Sequence, residues 1–217
     1  MKETTAKKKF MWNMAGSLCN SLSSMLLLII VNRISGESRG GFFALAYSTA
    51  QLLFSVGGFE IRPVQSTDIK NKFTFNQYFT SRMFNCIIML ICMIGYIAVN
   101  GYTGVEALTV FWILGYRMVE AVADVYSGLF QQRERIDISG KEMLMRSGIS
   151  TITFTIILWL TDNLLYAAMT LTLTSLVIML FYDLHMKKYF EPTPVHLEWR
   201  GILGIYNACW PLFVSSF

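Results

Sequence analysis

Long apolar segments alternate with short polar connections along the whole chain. The apolar segments cover residues 18–34, 41–59, 83–99, 105–130, 148–160 with its flanks, 164–184 and 201–217. A helix of about 20 apolar residues crosses the hydrocarbon core of a bilayer. The pattern therefore predicts an all-α integral membrane protein with six complete transmembrane helices and the start of a seventh. We assign residues 1–200 to a six-helix lobe and residues 201–217 to a truncated seventh span, and we interpret the chain as part of a longer protein.

The first two spans each carry a stripe of polar residues at helical spacing. The stripes are Asn13, Ser17, Asn20 and Ser24 in the first span, and Ser48, Gln51, Ser55 and Gly58 in the second. Intervals of three and four residues place the members of each stripe on one helix face. Such a face either packs against another helix through small polar residues or lines a polar cavity. Two successive stripes favour a shared wet interior.

The fourth span contains three charged residues on one face, namely Arg117, Glu120 and Asp124. Each costs roughly 2.5 to 3.5 kcal/mol at the centre of a membrane helix, whereas a neighbouring Leu, Ile or Val returns only about 0.3 to 0.6 kcal/mol. The charged face must therefore meet another helix or a water-filled cavity. We consider three interpretations: an ion pair with Arg117 that merely lowers the cost of insertion, contact with a substrate or ion, and acid-base catalysis.

Composition and charge support the membrane assignment and suggest an orientation. The chain is 54% hydrophobic and only 15% charged, and it has a net charge of +4. Fifteen of its 18 cations fall on one side of the predicted spans, which the positive-inside rule makes cytoplasmic, as is the N-terminus. These cations are Lys2, Lys7, Lys8, Lys9, Arg62, Lys70, Lys72, Arg82, Arg133, Arg135, Lys141, Arg146, Lys187, Lys188 and Arg200. Arg33 and Arg39 fall outside and Arg117 lies in the membrane, so the positive charge indicates a membrane face and not a nucleic-acid partner.

Motifs for covalent chemistry, metals or cofactors are not found in the sequence. It has no glycine-rich phosphate loop, no His-Glu-x-x-His pattern and no nucleophile elbow. The four cysteines lie in apolar segments without paired spacing, and His185 and His196 lie in the inner linker after the sixth span. We therefore expect a non-enzymatic protein without a metal or cofactor, in which Glu120 or Asp124 is a candidate for coupling to a proton or sodium gradient.

The segment around the charged face resembles a signature of bacterial polysaccharide biosynthesis proteins. The residues that carry the resemblance are Gly115, Tyr116, Arg117, Glu120, Asp124, Gly128, Leu129, Gln131, Arg133, Glu134 and Arg135. Further similarity lies at Asn13 and Ser17, at Asn32 and Arg33, at Gly40 and Gly41, and in the stretches 211–213 and 215–217. The family includes the Wzx-type lipid-linked oligosaccharide flippases of the multidrug and oligosaccharidyl-lipid exporter superfamily.

The resemblance implies a transporter in the bacterial cytoplasmic membrane. Members of the family consist of two similar lobes around a central cavity and move a polyprenyl-diphosphate-linked oligosaccharide to the outer leaflet by alternating access. Arg117 would then attract the diphosphate, and the missing C-terminal lobe or a second copy would cover the open face. The residues that would bind the sugars are Asn13, Asn20, Ser48 and Gln51. Two alternatives are a drug antiporter of the same superfamily and a membrane-bound polysaccharide polymerase or acyltransferase.

Overall fold

The computed structural model describes residues 5–215, in which every regular element is a helix. The helices are α1 (Ala6–Gly58), α2 (Ile61–Thr67), α3 (Phe75–Val99), α4 (Gly104–Gln132), α5 (Ile136–Thr161), α6 (Leu164–Ile178), α7 (Leu184–Phe190) and α8 (Ile202–Ser215). A π-helical turn, Met179–Asp183, joins α6 to α7 without a break. The predicted inner cation Lys2 and the family-like residues Ser216 and Phe217 lie outside the described range.

Helix α1 is a hairpin of two helices that meet at Gly36. Gly36 has φ +85° and ψ 171°, a backbone conformation that L side chains rarely adopt. The hydroxyl of Tyr47 donates a hydrogen bond of 3.0 Å to Ser24 Oγ. In a straight helix these residues would lie about 35 Å apart, at 1.5 Å per residue. Residues 35–40, which connect the first two apolar segments, are thus helical except at one glycine.

Four helical segments of the described chain are long and apolar enough to cross a membrane. They are Ala6–Gly58, Phe75–Val99, Ile136–Thr161 and Leu164–Phe190. Helix α4 has 29 residues but includes the three predicted charged residues, and α8 has only 14. The protein is therefore an all-helical, multi-pass membrane protein.

Residues exposed on the outer helix faces are strongly apolar. The first half of α1 exposes Leu18, Leu22, Met25 and Ile29, and α5 exposes Ile149, Ile152, Ile156 and Trp159. Both series recur every three or four residues, so each is a continuous face of its helix. Contiguous apolar surface of this extent is rare on soluble monomers and is the expected surface toward lipid.

Helices α1 and α5 cross at a pair of glycines. A Cβ atom on Gly16 would overlap the carbonyl oxygen of Gly140, and one on Gly140 would overlap the carbonyl oxygen of Trp12. Small residues allow such close backbone approach in membrane helices. This crossing holds the polar stripe of α1 against the charged end of α5.

Two apolar clusters leave a polar zone between them along α4. One cluster contains Val110, Ile113, Leu114 and Ala121, and the other contains Val125, Leu129 and Phe130. Glu120 and Asp124 lie where the first cluster gives way to the second. The packing of α4 therefore sets its charged residues in the polar zone.

Candidate functional site

A cavity of about 630 Å³ opens between α1, α2, α4 and α5. Its lining includes the polar residues Asn20, Gln51, Ser55, Glu60, Arg62, Glu120, Asp124, Ser127 and Arg146. A second cavity of about 500 Å³ is lined by Ser21, Ser24, Tyr47, Ser48 and Arg117. Asn20, Gln51, Phe54 and Glu120 line both cavities, so the two adjoin.

Arg117 and Glu120 form a buried ion pair on α4. Arg117 is 3% exposed and Glu120 is 5% exposed. The Arg117 guanidinium donates a hydrogen bond to Glu120 Oε2. Glu120 Oε1 accepts a hydrogen bond of 3.2 Å from Asn20 Nδ2. The guanidinium carbon of Arg117 lies 4.5 Å from the ring centroid of Tyr47, a cation-π contact. The ion pair that we considered on the sequence is therefore present, and its members also line the cavities.

Arg146 of α5 extends this pair into a chain of alternating charges. Its Nε donates to Glu142 Oε1, and its Nη1 lies 4.0 Å from Glu120 Oε1. That Nη1 is buried and has no hydrogen-bond partner among the described residues. Leaving such a charged donor without an acceptor costs several kcal/mol in a low-dielectric site. Arg117 Nε is likewise buried without a partner, so the buried chain of charges, Arg117, Glu120, Arg146 and Glu142, contains two cationic donors that lack a hydrogen-bond acceptor among the described residues.

Asp124 is held by two arginines from other helices. Arg62 Nη1 lies 2.8 Å from its Oδ1, and Arg82 Nη2 lies 2.8 Å from its Oδ2. Arg82 is fully buried and also donates to the carbonyl oxygen of Gly57 at 2.9 Å. We refer to Asp124, Arg62 and Arg82 as the aspartate clamp. Asp124 shares a face and a cavity with Glu120, as predicted, but its partners come from α2 and α3.

A family described as "Polysaccharide biosynthesis protein" matches residues 6–217. The chain belongs to the polysaccharide biosynthesis protein family. It matches no curated protein and no solved structure significantly. Family membership and the long apolar helices together indicate a membrane protein that acts in polysaccharide biosynthesis.

Of the four polar residues that we predicted to bind sugars, three line the cavities. Asn20 and Gln51 line both, and Ser48 lines the smaller one, where its hydroxyl donates to the carbonyl of Leu45. Asn13 is not among these lining residues. Its Cα lies at the α1–α5 crossing, beside the position of a Cβ on Gly140. The stripe of α1 therefore serves helix packing at one end and the cavity further along, so both of our interpretations apply to different parts of it.

Three arginines of the site were not predicted there by the sequence analysis. Arg62, Arg82 and Arg146 counted there as cations of cytoplasmic connections, but Arg82 and Arg146 are at most 3% exposed and Arg62 is only partly exposed. For Arg146 a signal existed, since Glu142 precedes it by four residues and such pairs face each other on a helix. Within residues 5–215 no group of three or more His, Cys, Asp or Glu side chains is placed to hold a metal ion.

Proposed function

We propose that this protein moves a polyprenyl-diphosphate-linked oligosaccharide from the cytoplasmic to the outer leaflet of the bacterial plasma membrane. The single observation that carries the proposal is Arg146, which lines the larger cavity and whose Nη1 lacks a hydrogen-bond acceptor among the described residues, in a membrane protein of polysaccharide biosynthesis. A diphosphate offers the charged oxygen acceptors that a guanidinium binds most strongly. The transport step needs no covalent chemistry, so we regard the protein as a transporter and not an enzyme.

Three arginines provide a surface for the diphosphate. Arg62 and Arg146 line the larger cavity, and Arg117 lines the smaller one. Each is already beside a carboxylate, so the ligand would share the guanidinium groups with Asp124, Glu120 or Glu142. Because each guanidinium is paired with a carboxylate, the net charge of the site is near zero when no ligand is bound. This pairing limits the free-energy cost of burying charged residues in a membrane. The same arginines oppose an organic cation and so disfavour the drug antiporter.

The amides and hydroxyls at the cavities suit the glycan. Asn20, Ser48 and Gln51 offer donors and acceptors that replace water on sugar hydroxyls. The apolar outer faces of α1 and α5 suit a polyprenyl tail that stays in lipid. Each part of the proposed substrate therefore has a matching surface on the protein.

We further propose six transmembrane passes in one lobe, with the N-terminus in the cytoplasm. The two arms of the α1 hairpin, α3, α4, α5 and the segment 164–190 would supply them. Under this arrangement a second lobe or a second copy covers the open side of the cavity, and alternating access follows from rocking the two halves. The distribution of cations supports this orientation.

Substitution of Arg146 tests the proposal. We expect Arg146→Ala, in the complete gene product, to reduce surface polysaccharide of a complemented deletion strain at least tenfold, and Arg117→Ala to reduce it similarly. Arg39→Ala, at an exposed ion pair with Asp162, is the matched control and should export normally. Membrane levels of each variant should be measured by immunoblot, and normal export by both cavity variants at normal levels would refute the proposal.

A further inference from the structure

Two buried carboxyl groups near the cavities are not among the residues that line them. Glu142 of α5 and Asp183 at the end of the π-helical turn are both 0% exposed. Neither oxygen of Asp183 has a hydrogen-bond partner among the described residues, and Glu142 Oε2 lacks one as well. A buried ionised carboxylate without partners is strongly disfavoured, whereas a protonated one is neutral. The site therefore favours a bound proton.

The groups that face Asp183 do not supply a paired cation. The charged and titratable groups that interact with Asp183 are Glu142 and Arg146 on α5, Tyr126 on α4 and the adjacent residue Tyr182. Arg146 already donates to Glu142. Lys187 lies one turn further along the helix. Its Nζ donates a hydrogen bond to the carbonyl oxygen of Thr193 and lies 5.1 Å from the ring centroid of Phe75. Asp183 is thus buried beside a second acid, and the nearby cations are directed elsewhere.

The hydrogen bonds of the buried acids point to the same residue. Glu120 accepts from Arg117 and Asn20, and Glu142 accepts from Arg146. Asp183 is the acid without a partner in the described chain, so it is the natural holder of the proton.

The π-helical turn explains why Asp183 points inward. The buried residues Ser175, Met179, Asp183 and Lys187 recur every four residues. In a regular α-helix, residues four apart are rotated by about 40° around the axis, so such a series drifts off one face. The wider turn Met179–Asp183 offsets this drift. π-helical turns of this kind are frequent at functional sites.

We propose that Asp183, with Glu142 beside it, is a proton-binding site whose occupancy controls Arg146. A proton taken from water neutralises Asp183, and Arg146 is then shared between Glu142 and the cavity. Loss of the proton adds a negative charge that draws Arg146 toward Asp183 and away from Glu120. The cavity therefore holds its anion more tightly when the proton is bound. The proton site stands on its own, and only its link to Arg146 rests on the proposed function.

The first test detects the proton without any transport. Infrared difference spectroscopy of the purified protein in lipid nanodiscs should show the carbonyl stretch of a protonated carboxyl group at neutral pH. Asp183→Asn should abolish the signal, and the exposed control Asp162→Asn should retain it. Asparagine resembles the protonated acid in shape and charge, and Asp183→Ser serves if the first variant does not fold. Absence of the signal in the wild type, or its survival in a folded Asp183 variant, would overturn the assignment.

The second test addresses the link to Arg146. We expect the affinity for inorganic pyrophosphate to fall by up to about tenfold per pH unit as the single proton is lost. Pyrophosphate itself titrates near neutral pH, so the comparison is between variants: Asp183→Asn should lose the part of the pH dependence that Asp162→Asn shares with the wild type. An Asp183→Asn profile identical to that of Asp162→Asn overturns the link. If the protein fails to transport any oligosaccharide, the infrared result is unaffected, so the two failures are distinguishable.

Discussion

The aspartate clamp and the buried chain of charges lie on the same cavity but are built in opposite ways. In the clamp, one carboxylate accepts from two arginines on other helices, so both of its oxygens are bonded. In the chain, Glu120 lies between Arg117 and Arg146, and Arg146 Nη1, which lies 4.0 Å from Glu120 Oε1, has no hydrogen-bond acceptor among the described residues. Complete partnering suits a fixed structural role, whereas a buried group that lacks a partner is a candidate for binding. The comparison rests on the carboxylate of Asp124 and on Arg146, since Arg82 Nε in the clamp is also buried without a partner.

The largest expected effect comes from breaking the clamp. Arg82→Ala should destabilise the protein by about 3 to 5 kcal/mol, because it leaves Asp124 with one partner and removes a buried cation. Thermal unfolding in detergent, followed by size-exclusion chromatography with fluorescence detection, measures the change. Adding Asp124→Asn should recover part of the loss. Unfolding of Arg82→Ala at the wild-type temperature would mean that the clamp does not hold α3 to α4.

A smaller effect is expected at the crossing that positions the chain of charges. Gly140→Ala should cost about 1 to 3 kcal/mol, since the new methyl group meets backbone atoms of α1 that have little room to move. Gly95→Ala is the matched control, because a Cβ on this helical glycine has nothing within 4 Å. The same unfolding assay compares the two variants. Equal stability would contradict the close α1–α5 contact.

Hydropathy, residue spacing and the count of cations each predicted a different part of the structure. Hydropathy placed the apolar segments because a membrane span depends on local composition alone. The sequence analysis did not predict the turn at the single residue Gly36, because the polar and glycine residues at 35–40 are equally typical of a loop. Spacing placed Glu120 and Asp124 on one face of α4. Their partners Arg62, Arg82 and Arg146 come from other helices, and a count of cytoplasmic cations cannot distinguish a solvated cation from one that folds inward.

The smallest effect is expected at an ion pair on the surface. Arg39 Nη1 lies 3.0 Å from Asp162 Oδ2, and both side chains are more than half exposed. Such pairs contribute at most about 1 kcal/mol because water and salt screen them. Arg39→Ala should therefore shift the unfolding temperature far less than Arg82→Ala does. A shift of similar size would show that burial does not distinguish these two ion pairs.

The most direct test of the central claim is a flipping assay in reconstituted proteoliposomes. The complete protein is supplied with a labelled polyprenyl-diphosphate oligosaccharide, and the appearance of the label on the opposite leaflet is measured over time. The account predicts flipping by the wild type and by Arg39→Ala, and at least a tenfold slower rate for Arg146→Ala. Undiminished flipping by a folded Arg146→Ala variant would contradict the proposed role of the free arginine donor.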